Sequence, residues 1–233
     1  SVECARALED HGCDSFAVFS FLEALELRDN GIKSDILIFS KTHQHYLEPA
    51  FKNNLTLNVS SLDDIDIFES HKLSNEKIPN FHLKFDTGMT RLGINISDAS
   101  NVFERVKRNL GTECKGIYSH YATADEGDLS FANHQFSLFN DVIETAIEKE
   151  IKFETIHFSN SGASINLDQS KFDQVRVGML LYGAYPSSEV PKDLPVEPVM
   201  EFCAPLVEVR KVKKNTPVSY GGVYKTPDDC TIG

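Results

Sequence analysis

The 233 residues carry 23 Lys and Arg against 35 Asp and Glu, a formal net charge of −12, with 41% apolar and 25% charged residues. That balance is ordinary for a globular chain of one large domain, or one domain and part of another. It excludes a nucleic-acid phosphate track, because nothing would offset the repulsion.

Lys and Arg are scattered, and the densest run, "RKVKK" at 210–214, reads as a solvated strand edge. No apolar stretch approaches the ~18 residues of a membrane span and no signal peptide is recognised, so no membrane partner and a cytoplasmic location are expected. Cys4, Cys13, Cys114, Cys203 and Cys230 are odd in number, widely spaced and free of any CxxC, which predicts free thiols rather than a disulfide framework or zinc site. "HQH" at 43–45 lacks a further close ligand and reads as a surface loop.

Val2, Ala5 and Leu8 have helical spacing, and Gly12 ends that helix. Strands are then predicted at "SFAVFS" (15–20), "DILIFS" (35–40), "LTLNVS" (55–60), "FHLKFD" (81–86), "CKGIYSHY" (114–121), "ETIHFS" (154–159) and "QVRVGMLLYG" (174–183). Between them lie helical stretches: "FLEALELRDNG", "SLDDIDIFESHKL", "DASNVFERVKRNL" and "FANHQFSLFNDVIETAIEKE", with a shorter candidate in "THQHYLEPAFKN".

Seven strands alternating with helices imply parallel βαβ units and an α/β fold. An open doubly wound sheet would more often carry a glycine-rich phosphate turn after an early strand, and none is found. The alternative, an eight-stranded (β/α)8 TIM-like barrel lacking its first strand, is the expected architecture, over residues 1–190. After Gly183 the segment "YPSSEVPKDLPVEP" is proline-rich and reads as a linker. "VMEFCAPLVEVRKV" and "VSYGGVYKT" then read as strands without helices, so 191–233 is expected to be linker and an incomplete C-terminal β domain.

Polar groups of catalytic type follow four successive strands. They are Lys84, Asp86 and Arg91; then His120, Thr123 and Asp125; then His157, Ser159, Asn160 and Ser161; then Arg176 and Gly178. In a β/α barrel those strand ends form the active-site rim. A single strand-end histidine is more often structural than catalytic; four loaded strand ends in a row are harder to dismiss.

The stretches "KFDTGMTRLG", "GIYSHYATADE", "IHFSNSGASI", "FDQVRVGMLLYG" and "PVSYGGVY", in this order, resemble alanine racemase, a pyridoxal-phosphate enzyme with a fold-type III barrel. The resemblance implies pyridoxal phosphate as cofactor, alanine as the small-molecule substrate, a role in supplying D-alanine for cell walls, and a homodimer for the full-length protein. It assigns Arg91 to the cofactor's phenolic oxygen and the substrate carboxylate, and Lys84, often carbamylated in the family, to holding that arginine. The residue-level alternative for Lys84 is a plain ion pair with Asp86.

By the same resemblance Arg176 faces the pyridine nitrogen. A guanidinium keeps its proton at working pH, so the ring nitrogen stays unprotonated and a weaker electron sink. That favours return of the proton to Cα over transamination or decarboxylation. His157 lies beneath the ring and bonds Arg176, and His120 orients the catalytic tyrosine. Asn160, Ser161 and the backbone of Gly178 and Met179 belong to the phosphate cradle. Asp125 matches a family acid of unspecified role, with a helix cap as the equal alternative. No metal is expected.

Two residues the family needs, the cofactor-linking lysine of a "KANAYGHG"-like motif and a tyrosine just beyond an "IG" such as Ile232–Gly233, are expected outside these 233 residues. The expectation is therefore a fragment that is inactive alone. The alternatives are a serine racemase or another fold-type III amino-acid enzyme, and a non-catalytic barrel that binds the cofactor or only dimerises.

Overall fold

The structure, a computed structural model, describes residues 2–75 and 77–233. It separates into two compact units, 1–197 and 198–233.

The first unit is a succession of parallel strands with helices between them. Helix α1 (Val2–Asp10) ends before Gly12, whose φ of +89° turns the chain toward β1 (Ser15–Val18). Helix α2 (Phe21–Asp29) starts in a capping box: the Glu23 amide donates to Ser20 Oγ at 3.2 Å and the Ser20 amide returns 2.7 Å to the Glu23 carboxylate. Strand β2 (Asp35–Ile38) runs parallel to β1, followed by α3 (Leu47–Lys52), β3 (Leu57–Val59) and α4 (Leu62–Asn75). Arg28 joins these turns by donating to the carbonyls of Ile32, Ser34, Asn53 and Asn54.

Strand β4 (Phe81–Asp86) lies between β3 and β6 (Cys114–Tyr118), parallel to both, and its end also pairs with the short β5 (Ile94–Asn95). Strand β7 (Thr155–His157) extends the sheet beyond β6. Thr56 bridges Leu37 of β2, and Gln174 bridges His157, so seven parallel segments follow one another in chain order. Parallel neighbours put all their C-terminal ends on the same side.

Helices α5 (Ala99–Arg105) and α6 (Ser130–Glu148) cover the outside, and the short α7 (Ser161–Asn166) follows β7. Ala132, Gln135, Phe139, Val142 and Ala146 form the buried stripe of α6, at alternating spacings of three and four. Phe139 sits wholly buried against Phe158, ring centroids 4.9 Å apart. Cys114, at the start of β6 opposite Phe81, is also buried, and burial pushes its thiol pKa far up.

Several expectations are corrected. The run 174–183 is not a strand: only Gln174 makes a bridge, and Met179–Tyr182 forms a single tight helical turn. Val175 and Val177 remain exposed, so their alternation reflects no sheet burial. Strand β6 stops at Tyr118 rather than 121, which frees Ser119 and His120 from the ladder. The helical run 99–110 changes pitch at Val106 and ends at Gly111, φ +66°.

The second unit is two small antiparallel pairs: β8 (Arg210–Val212) with β11 (Cys230–Ile232), and β9 (Pro217–Val218) with β10 (Tyr224–Lys225). Thr226 is its buried anchor, its hydroxyl donating 2.6 Å to the Lys213 carbonyl. No helix among the described residues is long and apolar enough to cross a membrane.

Candidate active site at the strand ends

Alternation along β4 sends Phe81, Leu83 and Phe85 to one face and His82, Lys84 and Asp86 to the other. The second set meets the residues after β6 and β7, together with Arg176, whose amide donates 2.8 Å to the Ser159 carbonyl.

Arg176 is the hub. One terminal nitrogen donates to His157 Nδ1 at 2.7 Å; the other reaches the carbonyls of Ser119 (2.7 Å) and Phe158 (3.0 Å) and His120 Nδ1 (3.2 Å). A guanidinium has donors only, so both histidines accept at Nδ1 and carry their hydrogen on Nε2. Burial, then the Arg176 charge, pushes His120 down to about 3 and His157 well below its ordinary value. Burial lowers Arg176 itself to about 10, which leaves it charged at neutral pH. Its Nε is buried without a partner. Because an unpaired buried N–H is costly, this donor is suited to an incoming acceptor.

Tyr118 supports the hub from one side. Its ring stacks on His157 at 4.7 Å and 9°, its hydroxyl donates 2.9 Å to Asn58 Oδ1, and the Arg176 guanidinium lies 5.2 Å from the ring centroid. Lys84 Nζ lies 5.5 Å from the same ring. Lys84 is buried, and no ion pair joins it to Asp86, whose carboxylate instead accepts from the amides of Gly88 (2.9 Å) and Thr90 (3.0 Å). Burial first, with Arg91 and Arg176 nearby, pulls the Lys84 pKa down to about 8, against a small opposite pull from Asp86. Arg91 itself is exposed. Gly93 closes this loop at φ +150°, its α-carbon so near β4 that a Cβ would come within 2.5 Å of the Asp86 nitrogen.

Asn160 caps α7, accepting from the Ala163 amide at 3.0 Å and donating to the Tyr121 carbonyl at 3.1 Å. That presents Ser161, whose hydroxyl accepts from the Gly178 amide at 3.0 Å and lies 3.5 Å from that of Leu180. Gly178 has open space where a Cβ would stand, and Met179 is exposed. Asp125 does not cap α6: the N-cap position is Leu129, and the first helical amide, Ser130, donates to Asp128 Oδ1 at 2.9 Å. Asp125 instead packs on Gly162, where a Cβ would sit 2.7 Å from Asp125 Cβ and 2.8 Å from its amide nitrogen.

His82, His157, Arg176 and Gly178 line a cavity of about 500 Å³ together with Phe16, Phe39 and other apolar side chains. Sequence reasoning missed four contributors. Tyr118 and its Asn58 partner sit inside apolar strands, where nothing marks them. Gln135 is the third: wholly buried, it accepts from the Ala122 amide (2.9 Å) and donates to the His120 carbonyl (3.2 Å) and Thr87 Oγ1 (3.3 Å). A glutamine in the apolar stripe of α6 was the available signal. His82, on the same face as Lys84, is the last, and its ring nitrogen lies 2.9 Å from His157 Nε2.

A family profile described as alanine racemase, N-terminal domain, matches residues 1–186. Alanine racemase 2 of Caldanaerobacter subterraneus subsp. tengcongensis is 35% identical over 223 residues, covering 95% of this chain and 58% of the relative. Alanine racemase 1 of Bacillus subtilis is 32% identical, over 99% of this chain and 59% of its own. Among solved structures, alanine racemase of Clostridium difficile 630 superposes with TM-score 0.81 at 31% identity, over 99% of this chain and 61% of its own. The chain spans about three fifths of the length of the curated relatives it matches.

Proposed function

The chain belongs to the alanine racemase family, and on that premise we propose that the protein interconverts L- and D-alanine with pyridoxal phosphate. The observation that carries this reading is Arg176: both terminal nitrogens are fixed by histidines and carbonyls, while Nε stays buried and unpaired beside the cavity. A pyridine nitrogen is the acceptor that donor lacks. Bound there, pyridoxal phosphate would supply an electron-withdrawing ring that loosens the α-hydrogen of an amino acid.

The chain's own residues divide the remaining work. Ser161, with the backbone at Gly178 and Met179, holds the phosphate, and Asn160 fixes Ser161 by capping α7. Tyr118 and His157 form the floor beneath the ring. His120, with Nδ1 occupied by Arg176, offers its Nε2–H to orient a proton-carrying hydroxyl. Arg91 takes the substrate carboxylate. Lys84 is held as a carbamate: a buried cation beside two guanidinium groups becomes an anion that both can stabilise.

In this reading the seven parallel segments are part of an eight-stranded barrel, and 191–233 begins a β domain. The full-length protein is a homodimer, and residues 1–233 are inactive alone, since neither the cofactor-linking lysine nor the catalytic tyrosine has a match among them. The test is incubation of the full-length protein with pyridoxal phosphate and L-alanine in D2O. D-alanine deuterated at Cα is expected, and none from residues 1–233. A full-length protein that binds the cofactor yet makes no D-alanine overturns the reading.

A further inference from the structure

We propose that His82 is a positioning residue that acts through His157 on Arg176: its Nδ1 accepts the His157 Nε2–H and so keeps His157 oriented to receive the guanidinium. The two ring nitrogens lie 2.9 Å apart. Their roles follow from donor counting. His157 Nδ1 must accept from Arg176, so the hydrogen of neutral His157 is on Nε2, and His82 Nδ1 must be bare. The reverse arrangement would aim His157 Nδ1–H at a guanidinium N–H.

Two further observations support the assignment. Gly116 stands opposite His82 in the β4–β6 ladder, and a Cβ there would come within 2.6 Å of the His82 ring. Only glycine leaves the ring room to lie across the neighbouring strand. Burial, then Arg176, also lowers His82 to about 4, so it is neutral and able to accept. The groups around the pair are Arg176, which bonds His157, and the Tyr118 ring, which stacks on it from β6 and itself carries Lys84 Nζ 5.5 Å from its centroid. Lys115 and Glu154, on the far side of His82, are paired with each other at 2.5 Å. Without His82, the His157 N–H is buried with no acceptor, and the ring gains by turning away from Arg176.

The consequence for catalysis rests on the function proposed above; the proton arrangement does not. The test uses the full-length protein carrying ring-15N histidine, with His157 assigned by substitution. Wild type should show His157 protonated at Nε2 only, with a low-field, slowly exchanging proton between about pH 6 and 8. His82→Leu should lose that protection, change the absorption of bound pyridoxal phosphate, and lower kcat by roughly ten-fold or more with little change in KM. His82→Gln, whose amide oxygen can accept, should restore all three. A His157 proton on Nδ1 in wild type overturns the proposal, even if His82→Leu fails to fold. So does a His82→Leu protein with an unchanged His157 proton and kcat. A protein that shows the expected protons but racemises no alanine overturns the proposed function and leaves this inference standing.

Discussion

Arg176 and His157 meet at 2.7 Å, and the same guanidinium also reaches His120, so one cation fixes the hydrogen positions of histidines at two neighbouring strand ends. The guanidinium is planar and rigid, so it can serve His157, His120 and two carbonyls at once. A lysine, with one nitrogen, cannot.

Arg176→Lys is therefore expected to destabilise the first unit by about 2–4 kcal/mol, since it leaves several buried acceptors unserved. Urea unfolding at pH 7 measures this. A midpoint within error of wild type would show that the hub is ornamental.

The buried histidines make stability depend on pH with a definite sign. Their folded pKa values are lowered, to about 4 for His82 and about 3 for His120, against about 6.5 unfolded. The unfolded chain thus takes up protons first, and the stability is fully present above about pH 6.5. It is lost as pH falls toward the folded values, at about 1.4 kcal/mol per pH unit for each such histidine. His82→Gln should flatten the slope between pH 6 and 5. Equal slopes in the two proteins would mean that His82 titrates normally.

Lys84 gives a chemical test. With its pKa near 8, a useful fraction of the amine is neutral at pH 7.5 and able to take up carbon dioxide. In 13C-bicarbonate the protein should show a carbamate carbonyl resonance that is absent from Lys84→Met. Its absence from both would leave Lys84 as a buried ammonium over Tyr118.

Gln135→Leu keeps the volume of the α6 stripe but removes three hydrogen bonds, stranding the Ala122 amide and His120 carbonyl. A loss of about 2–4 kcal/mol is expected, with faster amide exchange at Ala122. Unchanged exchange at Ala122 would count against the clamp.

The sequence marked the polar residues at and just beyond the strand ends, because His120, His157 and Arg176 each interrupt an apolar run. It did not mark partners drawn from distant segments: Tyr118 and Asn58 are 60 residues apart, and His82 and His157 are 75. His82 was hidden within a strand whose neighbours on both sides are apolar. The opposite error occurred at 174–183, where alternating Val175 and Val177 imitate a strand although they stay exposed. Hydrophobic alternation reports what a strand would bury, not whether a neighbouring strand is there to pair with it.

Cys114 turns the β4–β6 junction into a clock. Its thiol is sealed beneath the ladder and reluctant to ionise, whereas Cys4 and Cys203 stand in solvent. An alkylating reagent should therefore consume the exposed pair at once, the half-buried Cys13 and Cys230 next, and reach Cys114 only when the strands part. The lag before this fifth and last alkylation is a waiting time for sheet opening, readable by mass alone and without any probe added to the site.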